Sequence, residues 1–359
     1  MGESAASLDA APDTFGRAPF AMMDILRRAL GGALGAFGLD PDECPHRIVD
    51  FGPHWRLRDY GGRDTSLPLL IVAAPIKRAY IWDLAPMVSA VCYCIHEGLH
   101  VHLLEWMPAS RRNLNNGLDE YIEAIYECVA KISGRAAGIK PFLVGHSLGG
   151  TLAAIFSAWS PAHIRGLILL GTPLCFEPGT SRFRDVLVSL IPPALSDGDP
   201  FPGSLLSFIA TLASPDTFMW SRLIDVASSI TDHQTLEINA RVERWALDEV
   251  PLPGKLVCQI VQWLYRENRF CRGTLKVSEA LVGPSNLSVS ALVVVTRADE
   301  VAPLASVKPC IEAMPATGVR IIQYPGEGGV GLQHLGILVG REARAHVWPE
   351  IISWIKTHT

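Results

Sequence analysis

The sequence has no run of about 18 uninterrupted apolar residues, so it predicts no membrane-spanning helix. The segment nearest to one, FAMMDILRRALGGALGAFGL over residues 20–39, is interrupted by Asp24, Arg27 and Arg28 and lies too far from a basic start to read as a signal peptide. It predicts an amphipathic helix that packs on the body or touches a lipid or polymer surface. Charge is also scarce, at 19% of residues, and there is no basic excess: 31 Lys and Arg stand against 36 Asp and Glu, a net charge of −5. That excludes the electrostatic footprint of a nucleic-acid binder. Closely paired cysteines are few. The eight are scattered singly apart from Cys92 and Cys94, which predicts reduced, mostly buried thiols and no disulfide framework, in a cytoplasmic setting. There is no internal repeat and no low-complexity tract.

What is present is apolar material in a definite rhythm. Of 359 residues, 49% are hydrophobic and the mean hydropathy is +0.24, enough for a large core. Residues 1–19, rich in Ala, Ser, Asp and Pro, are expected to be poorly ordered. HRIVDFGPHWRLRDYGG (46–62) alternates and turns like a hairpin. LPLLIVAAP (67–75) reads as a buried strand, YIWDLAPMVSAVCYCIHEG (80–98) as a helix stopped by Gly98, and VHLLEW (101–106) as the next strand. A helix (117–134), the strand PFLVG, a helix (148–159) and the strand IRGLILLGTP (164–173) follow. This alternation predicts a parallel sheet with helices on both faces. The rhythm breaks over 174–286, where prolines and helical stretches occur without a clear strand, and resumes at SALVVVTRADEVAP (290–303), a helix near 304–314, VRIIQYP (319–325) and a last helix ending at Trp354. The expected organisation is a tail and helix (1–45), a sheet core (46–173 and 287–359) and an inserted cap (174–286).

The stretch PFLVGHSLGG (141–150) carries the chemistry. Gly145 and Gly149 lie two before and two after Ser147. A nucleophile elbow needs small residues at those places because its serine occupies a strained strand-to-helix turn. The turn lifts the hydroxyl above the sheet and aims the first amides of the next helix at the reacting oxygen. The backbone N–H of Leu148 is then one oxyanion donor, and the loop after LPLLIVAAP supplies a second near Ile76 or Lys77. The five-residue pattern alone is common, and the bland alternative is a helix-capping serine beside turn glycines. The predicted strand before it and helix after it give the motif its weight.

A serine hydroxyl needs a base, and the base needs an orienting group. After an elbow of this kind the acid comes next in the chain and then the histidine. Asp299 stands at the end of the strand VVVTRADEVAP, and His334 in the loop GLQHLGILVG after the following strand. Glu300, Asp232 with His233, and His146 are competitors for these roles, but as a surface carboxylate, exposed cap residues and a packing histidine inside the elbow they fit less well. The cysteine- and histidine-rich run CYCIHEGLHVH (92–102) raises a metal alternative. His100 and His102 share one face of a strand while the cysteines sit on the preceding helix, and zinc sites show tighter paired spacing. The expectation is buried cysteines and satisfied histidines, with no metal and no cofactor.

From about residue 47 onward the chain resembles the polyhydroxyalkanoate synthase family, α/β-hydrolase-fold enzymes that polymerise hydroxyacyl-CoA. The resemblance rests on LPLLIVAAPIKRAYIWDLAP, LHVHLLEWMPAS, LDEYIEAI, GHSLGGT, the cap segment VERWALDEVPLPGKLVCQIVQWLYRENRFCRGTL, DEVAP and QHLGILVG. Trp245, Asp248 and the run from Tyr265 to Asn268 are its most specific part. It implies Asp299 and His334 as acid and base, and a dimer or a second subunit as partner. One departure bears on function: the synthases carry cysteine in the box, and here Ser147 holds that place. An oxygen ester passes to another hydroxyl less readily than a thioester does, so water becomes the expected acceptor.

The leading expectation is therefore a serine esterase or thioesterase acting on an apolar or hydroxyacyl chain, small-molecule or carrier-bound, within a pocket for which Phe218, Trp220, Trp245 and Trp263 are candidate walls. An acyltransferase like the synthases is the alternative, and a non-catalytic partner of a synthase or granule surface the third.

Overall fold

In the computed structural model the described residues are 16–62, 66–193, 195–215, 217, 232–315, 318–326 and 333–358. Eight strands form one sheet in the order β1-β2-β4-β3-β5-β6-β9-β10. β1 (Arg47–Phe51), β2 (Trp55–Asp59) and β4 (His100–Trp106) pair antiparallel at one edge. β3 (Pro68–Val72), β5 (Phe142–His146), β6 (Gly166–Leu170), β9 (Ala291–Thr296) and β10 (Val319–Tyr324) run parallel to β4. The central strands are near-continuous Val, Ile and Leu because helices cover both faces, and every residue of β3, β5, β6 and β9 is buried.

The helices follow from their patterns. α3 (Leu118–Arg135) buries Leu118, Tyr121, Ile122, Ile125, Cys128, Val129 and Ile132, a stripe at helical spacing. Glu120 accepts a hydrogen bond from the Gly117 amide at 2.6 Å and closes its first turn. α4 (Leu148–Trp159) is buried along almost its whole length between sheet and neighbouring helices. The sequence predicts one helix over 80–98. The chain instead makes a 3₁₀ turn at Ala79–Asp83, and α2 (Ala90–His96) starts only after Pro86, where the Ser89 hydroxyl caps the Cys92 amide at 2.8 Å.

Between β6 and β9 lie α5 (Arg182–Leu190), α6 (Gly203–Ala213), α7 (His233–Leu247) and α8 (Gly254–Gln259), the last continued by a π-helical turn to Arg266. A separate apolar cluster holds part of this segment together, including Ile191, Phe201, Leu205, Ile209 and Leu252. The segment also contains strands, contrary to expectation: β7 (Leu275–Val277) and β8 (Ala280–Val282) form a small hairpin. Three-residue strands are too short to show alternation, and the turn residues Ser278 and Glu279 have positive φ without being glycine, so no turn signal marked them.

α1 (Arg17–Leu34) packs on α6 and α7. Its buried Asp24 accepts hydrogen bonds from the amides of Gly203 at 3.1 Å and Ser204 at 2.7 Å, and from the Ser204 hydroxyl, so one carboxylate caps the start of α6. Arg17 donates to the carbonyls of Asp199 and Ser196. Helical structure begins at residue 17, inside the stretch expected to be poorly ordered, whose residues 1–15 fall outside the described set. Among the described residues no helix is long and apolar enough to cross a membrane.

The expectation of reduced thiols fails at one pair. Cys44 and Cys92 are joined as a disulfide, 48 residues apart in sequence. The loop before β1 is brought against the first turn of α2, a proximity that no cysteine spacing reveals. The other six cysteines are outside any disulfide, and Cys94, Cys128, Cys175 and Cys310 are buried.

Candidate active site

The C-terminal ends of β3, β5, β6 and β9 open on one side of the sheet. At the end of β5, Ser147 has φ 53° and ψ −131°, a strained conformation for a residue other than glycine. Its amide donates to the Leu170 carbonyl of β6, and α4 begins at the next residue. The two glycines are required by contact. A Cβ on Gly145 would stand 2.6 Å from the Gly150 backbone, and one on Gly149 would run into the Val72 carbonyl oxygen.

Asp299 and His334 meet although 35 residues apart. Nδ1 of His334 donates to Oδ2 of Asp299 at 2.7 Å. Oδ1 of Asp299 accepts from the amides of Val301 at 2.8 Å and Ala302 at 3.0 Å. Burial alone would raise the Asp299 pKa. The adjacent His334 and these hydrogen bonds outweigh it and hold the carboxyl below its ordinary value. The Nδ1–H tautomer leaves Nε2 of His334 unprotonated, and this buried nitrogen has no hydrogen-bond partner. His334 and Ser147 line the same cavity.

The competitors are occupied elsewhere. Glu300 accepts from the hydroxyls of Ser214 and Thr217 and joins the segment between β6 and β9. Asp232 caps α7 through the amides of Gln234 and Thr235 and meets Arg341 at 2.6 Å, and His233 is the first residue of that helix. His146 packs against His334, ring centroids 4.5 Å apart, and its Nε2–H donates to the His334 carbonyl at 2.8 Å. Burial lowers its pKa to about 3, so it stays neutral beside the other imidazole.

The cavity measures about 460 Å³. Its floor is Ser147, Leu148 and the loop after β3, including Ile76 and Lys77. Its walls come largely from the segment between β6 and β9, with Phe183, Ile209, Val261 and Tyr265 among them, and Phe20, Met23 and Arg27 of α1 complete the enclosure. Trp245 lines it as expected, and its indole N–H donates to the Arg78 carbonyl at 2.8 Å, fixing the loop that carries Ile76 and Lys77. Trp263 does not line it. It packs against the main core beneath the Arg269 guanidinium. Phe218 and Trp220 lie outside the described residues.

Sequence reasoning missed the buried charge at this site. Glu249 is fully buried and pairs with Lys77 at 2.7 Å and Arg27 at 3.1 Å. The backbones of Lys77 and Glu249 also form an isolated antiparallel bridge. The three residues come from α1, the loop after β3 and the end of α7, and nothing in their spacing announces the contact. The sole sequence signal is the pair Arg27 and Arg28 in an apolar helix, which asks for a partner.

A family described as the alpha/beta hydrolase fold matches residues 107–324. The chain is similar to the poly(3-hydroxyalkanoate) polymerase subunit PhaC of Haloferax mediterranei, 26% identical over 87% of this chain and 64% of that one. It is also similar to those of Synechocystis, 26% identical over 93% and 91% of the two chains, and of Thiocystis violacea, 23% over 97% and 98%. The chain spans less than two thirds of the length of the Haloferax and Haloarcula polymerases it matches, 64% and 60%. Among solved structures it is similar to a putative lipase from Sulfolobus solfataricus, with a TM-score of 0.58, 17% identity and 88% and 93% of the two chains covered. A monoacylglycerol lipase from Paleococcus ferrophilus gives a TM-score of 0.51 at 16% identity, covering 85% and 99%.

Proposed function

The chain belongs to the α/β-hydrolase fold family, as a member similar to the polyhydroxyalkanoate synthases, and on that premise we propose that it is a serine hydrolase cleaving an ester or thioester of an apolar or hydroxyacyl chain. The observation that carries this reading is the pairing of a strained elbow serine with an imidazole whose Nδ1 is tied to a buried carboxylate and whose Nε2 is left without a partner beside the same cavity.

The mechanism follows from those atoms. Nε2 of His334 takes the Ser147 proton as Oγ attacks the acyl carbon, and Asp299 stabilises the resulting imidazolium. The amides of Leu148 and Ile76 hold the developing oxyanion. The imidazolium protonates the departing alcohol or thiol. Water, deprotonated by His334, then attacks the acyl-Ser147 ester, and the imidazolium returns that proton to Ser147 Oγ as the acid leaves. The apolar walls supplied by residues 174–286, which we take as a cap, accept the acyl chain. The cavity volume falls within the range usual for small-molecule sites.

The partner is thus an acyl ester or an acyl-thioester carried by CoA or a carrier protein. α1 also exposes Met22, Ile25, Leu26 and Leu30 on its outer side, with Phe37 beyond, while Phe20 and Met23 reach the cavity. An apolar face so placed supports a weak contact with a lipid or polymer surface, or a second copy of the chain.

The second reading is acyl transfer. The similarity to polymerases along nearly the whole chain favours it, and the serine in place of cysteine disfavours it. The test incubates the protein and its Ser147→Ala variant with 3-hydroxybutyryl-CoA and a series of medium-chain acyl esters, follows thiol and alcohol release, and weighs the acyl product. Free acid that disappears in the variant is expected. Oligomers or acyl groups on another acceptor would replace this reading with transfer. Activity unchanged in the variant would remove Ser147 from the chemistry.

A further inference from the structure

At the end of the sheet opposite the cavity, β2 closes on Asp59 and β4 opens on His100. Asp59 stands across from His102 in the antiparallel register, and His100 lies two residues earlier on the same face. The two imidazoles stack with centroids 4.4 Å apart. Oδ1 of Asp59 is 2.8 Å from Nε2 of His100 and 3.9 Å from Nε2 of His102. One donor atom from each residue lies within 4.8 Å of the other two.

We propose that Asp59, His100 and His102 form a binding site for a divalent first-row transition ion, zinc foremost, clamping β2 to β4. The donor set is two imidazoles and one carboxylate, which suits zinc and leaves a fourth position for water. In a tetrahedral site with bonds of about 2.1 Å, donor atoms stand roughly 3.4 Å apart. The two separations, 2.8 and 3.9 Å, fall on either side of that value.

Two further features fit a ligand set better than a plain hydrogen-bonded cluster. His102 is buried, and its Nε2, the nitrogen that faces Asp59, stops 3.9 Å from Oδ1, beyond hydrogen-bond distance. An ion between the two atoms would bridge that gap. The carboxylate is also oriented from behind: Oδ1 accepts from the Gly61 amide at 2.8 Å, and Oδ2 faces Arg47 at 3.5 Å and Arg135 at 4.0 Å. Ligating carboxylates are commonly held by such outer partners. Arg47 is on a largely exposed side chain, Arg135 is half-exposed and also reaches the Val49 carbonyl, and the cluster opens to solvent at His100, whose side chain is 25% exposed. On binding, the His100 proton moves to Nδ1 so that Nε2 presents its lone pair. Nothing is oxidised or reduced.

The experiment titrates the chelator-stripped full chain with zinc chloride by calorimetry and with cobalt(II) by visible absorption, for the wild type, His100→Ala, the milder His100→Gln, and Cys44→Ser, which opens the Cys44–Cys92 disulfide beside Asp83, as a control for that second group of potential ligands among the described residues. One zinc per chain is expected, with a cobalt band of tetrahedral character. Affinity should fall at least tenfold in both His100 variants and be unchanged in Cys44→Ser. No uptake by the wild type, or uptake as tight in His100→Gln as in wild type, overturns the proposal. Uptake lost only in Cys44→Ser places the ion elsewhere and overturns it as well.

Discussion

Asp299 receives the Nδ1–H of His334 at 2.7 Å on one carboxylate oxygen, while two backbone amides occupy the other. The carboxylate therefore has a fixed direction and a fixed charge before any substrate arrives, and it sets which nitrogen of His334 carries the proton. Asp299→Asn keeps the size and removes that instruction, because an amide NH₂ can turn the ring to the wrong tautomer. The expected result is a fall in kcat on the order of 10⁴ with KM little changed. Steady-state kinetics on the best ester would show it, and a loss under tenfold would mean that His334 is not the base.

On the proposed mechanism, Ser147 separates catalysis from stability. Its backbone sits at φ 53°, and its side chain makes no capping hydrogen bond to α4. Alanine keeps the strain and glycine relieves it. Both Ser147→Ala and Ser147→Gly should be inactive, and the glycine variant should unfold at the higher denaturant midpoint, by about 1 kcal/mol. A glycine variant less stable than the alanine variant would show that the elbow stores no strain.

Buried histidines contribute to the response to acid, His146 and His54 among them. Burial lowers the pKa of His146 to about 3, and burial also lowers that of His54, whose Nδ1 lacks a hydrogen-bond partner. Each folded value lies below the ordinary value of about 6.5, so below that pH the unfolded chain binds more protons than the folded one. Stability is thus full above about pH 6.5 and is lost as pH falls, by up to roughly 1.4 kcal/mol per pH unit for each group, for His146 down toward pH 3. Urea unfolding at several pH values should show this slope, and His146→Gln should flatten it by about one proton. Parallel slopes for variant and wild type would sink the assignment.

Glu249 joins two cations that border the cavity. Glu249→Gln leaves Lys77 and Arg27 without their counter-charge in a largely dry setting and should destabilise the protein by about 3 kcal/mol. Adding Lys77→Met should restore part of that. The denaturant midpoints of the three proteins test it, and a single variant within 0.5 kcal/mol of wild type would mean that water reaches the pair.

The sequence by itself determined the parallel sheet and the elbow, and it set Ser147, Asp299 and His334 in the order that the proposed mechanism needs. These are local matters. Strands buried on both faces must be continuously apolar, a serine on a tight strand-to-helix turn needs glycines at fixed offsets, and Asp299 and His334 each follow a recognisable strand. The helix expected over residues 20–39 was legible as α1, Arg17–Leu34, since its apolar spacing is internal to it, but the backbone leaves helical geometry at Phe37 and Gly38.

Only the tertiary structure decided what lies across from what. Asp24 reaching the start of α6, Glu249 between Lys77 and Arg27, Cys44 beside Cys92, and Asp59 opposite His102 are contacts between segments far apart in the chain. Their residue types are ordinary where they stand, and each gains its meaning from a neighbour that folding supplies. Trp263 shows the reverse: its aromatic ring suggested a cavity wall, but the turn of its helix directs it to the core. Patterns repeat along a chain at the period of the backbone, whereas a buried charge pair or a shared ligand set has no period. Its position follows from how whole layers pack.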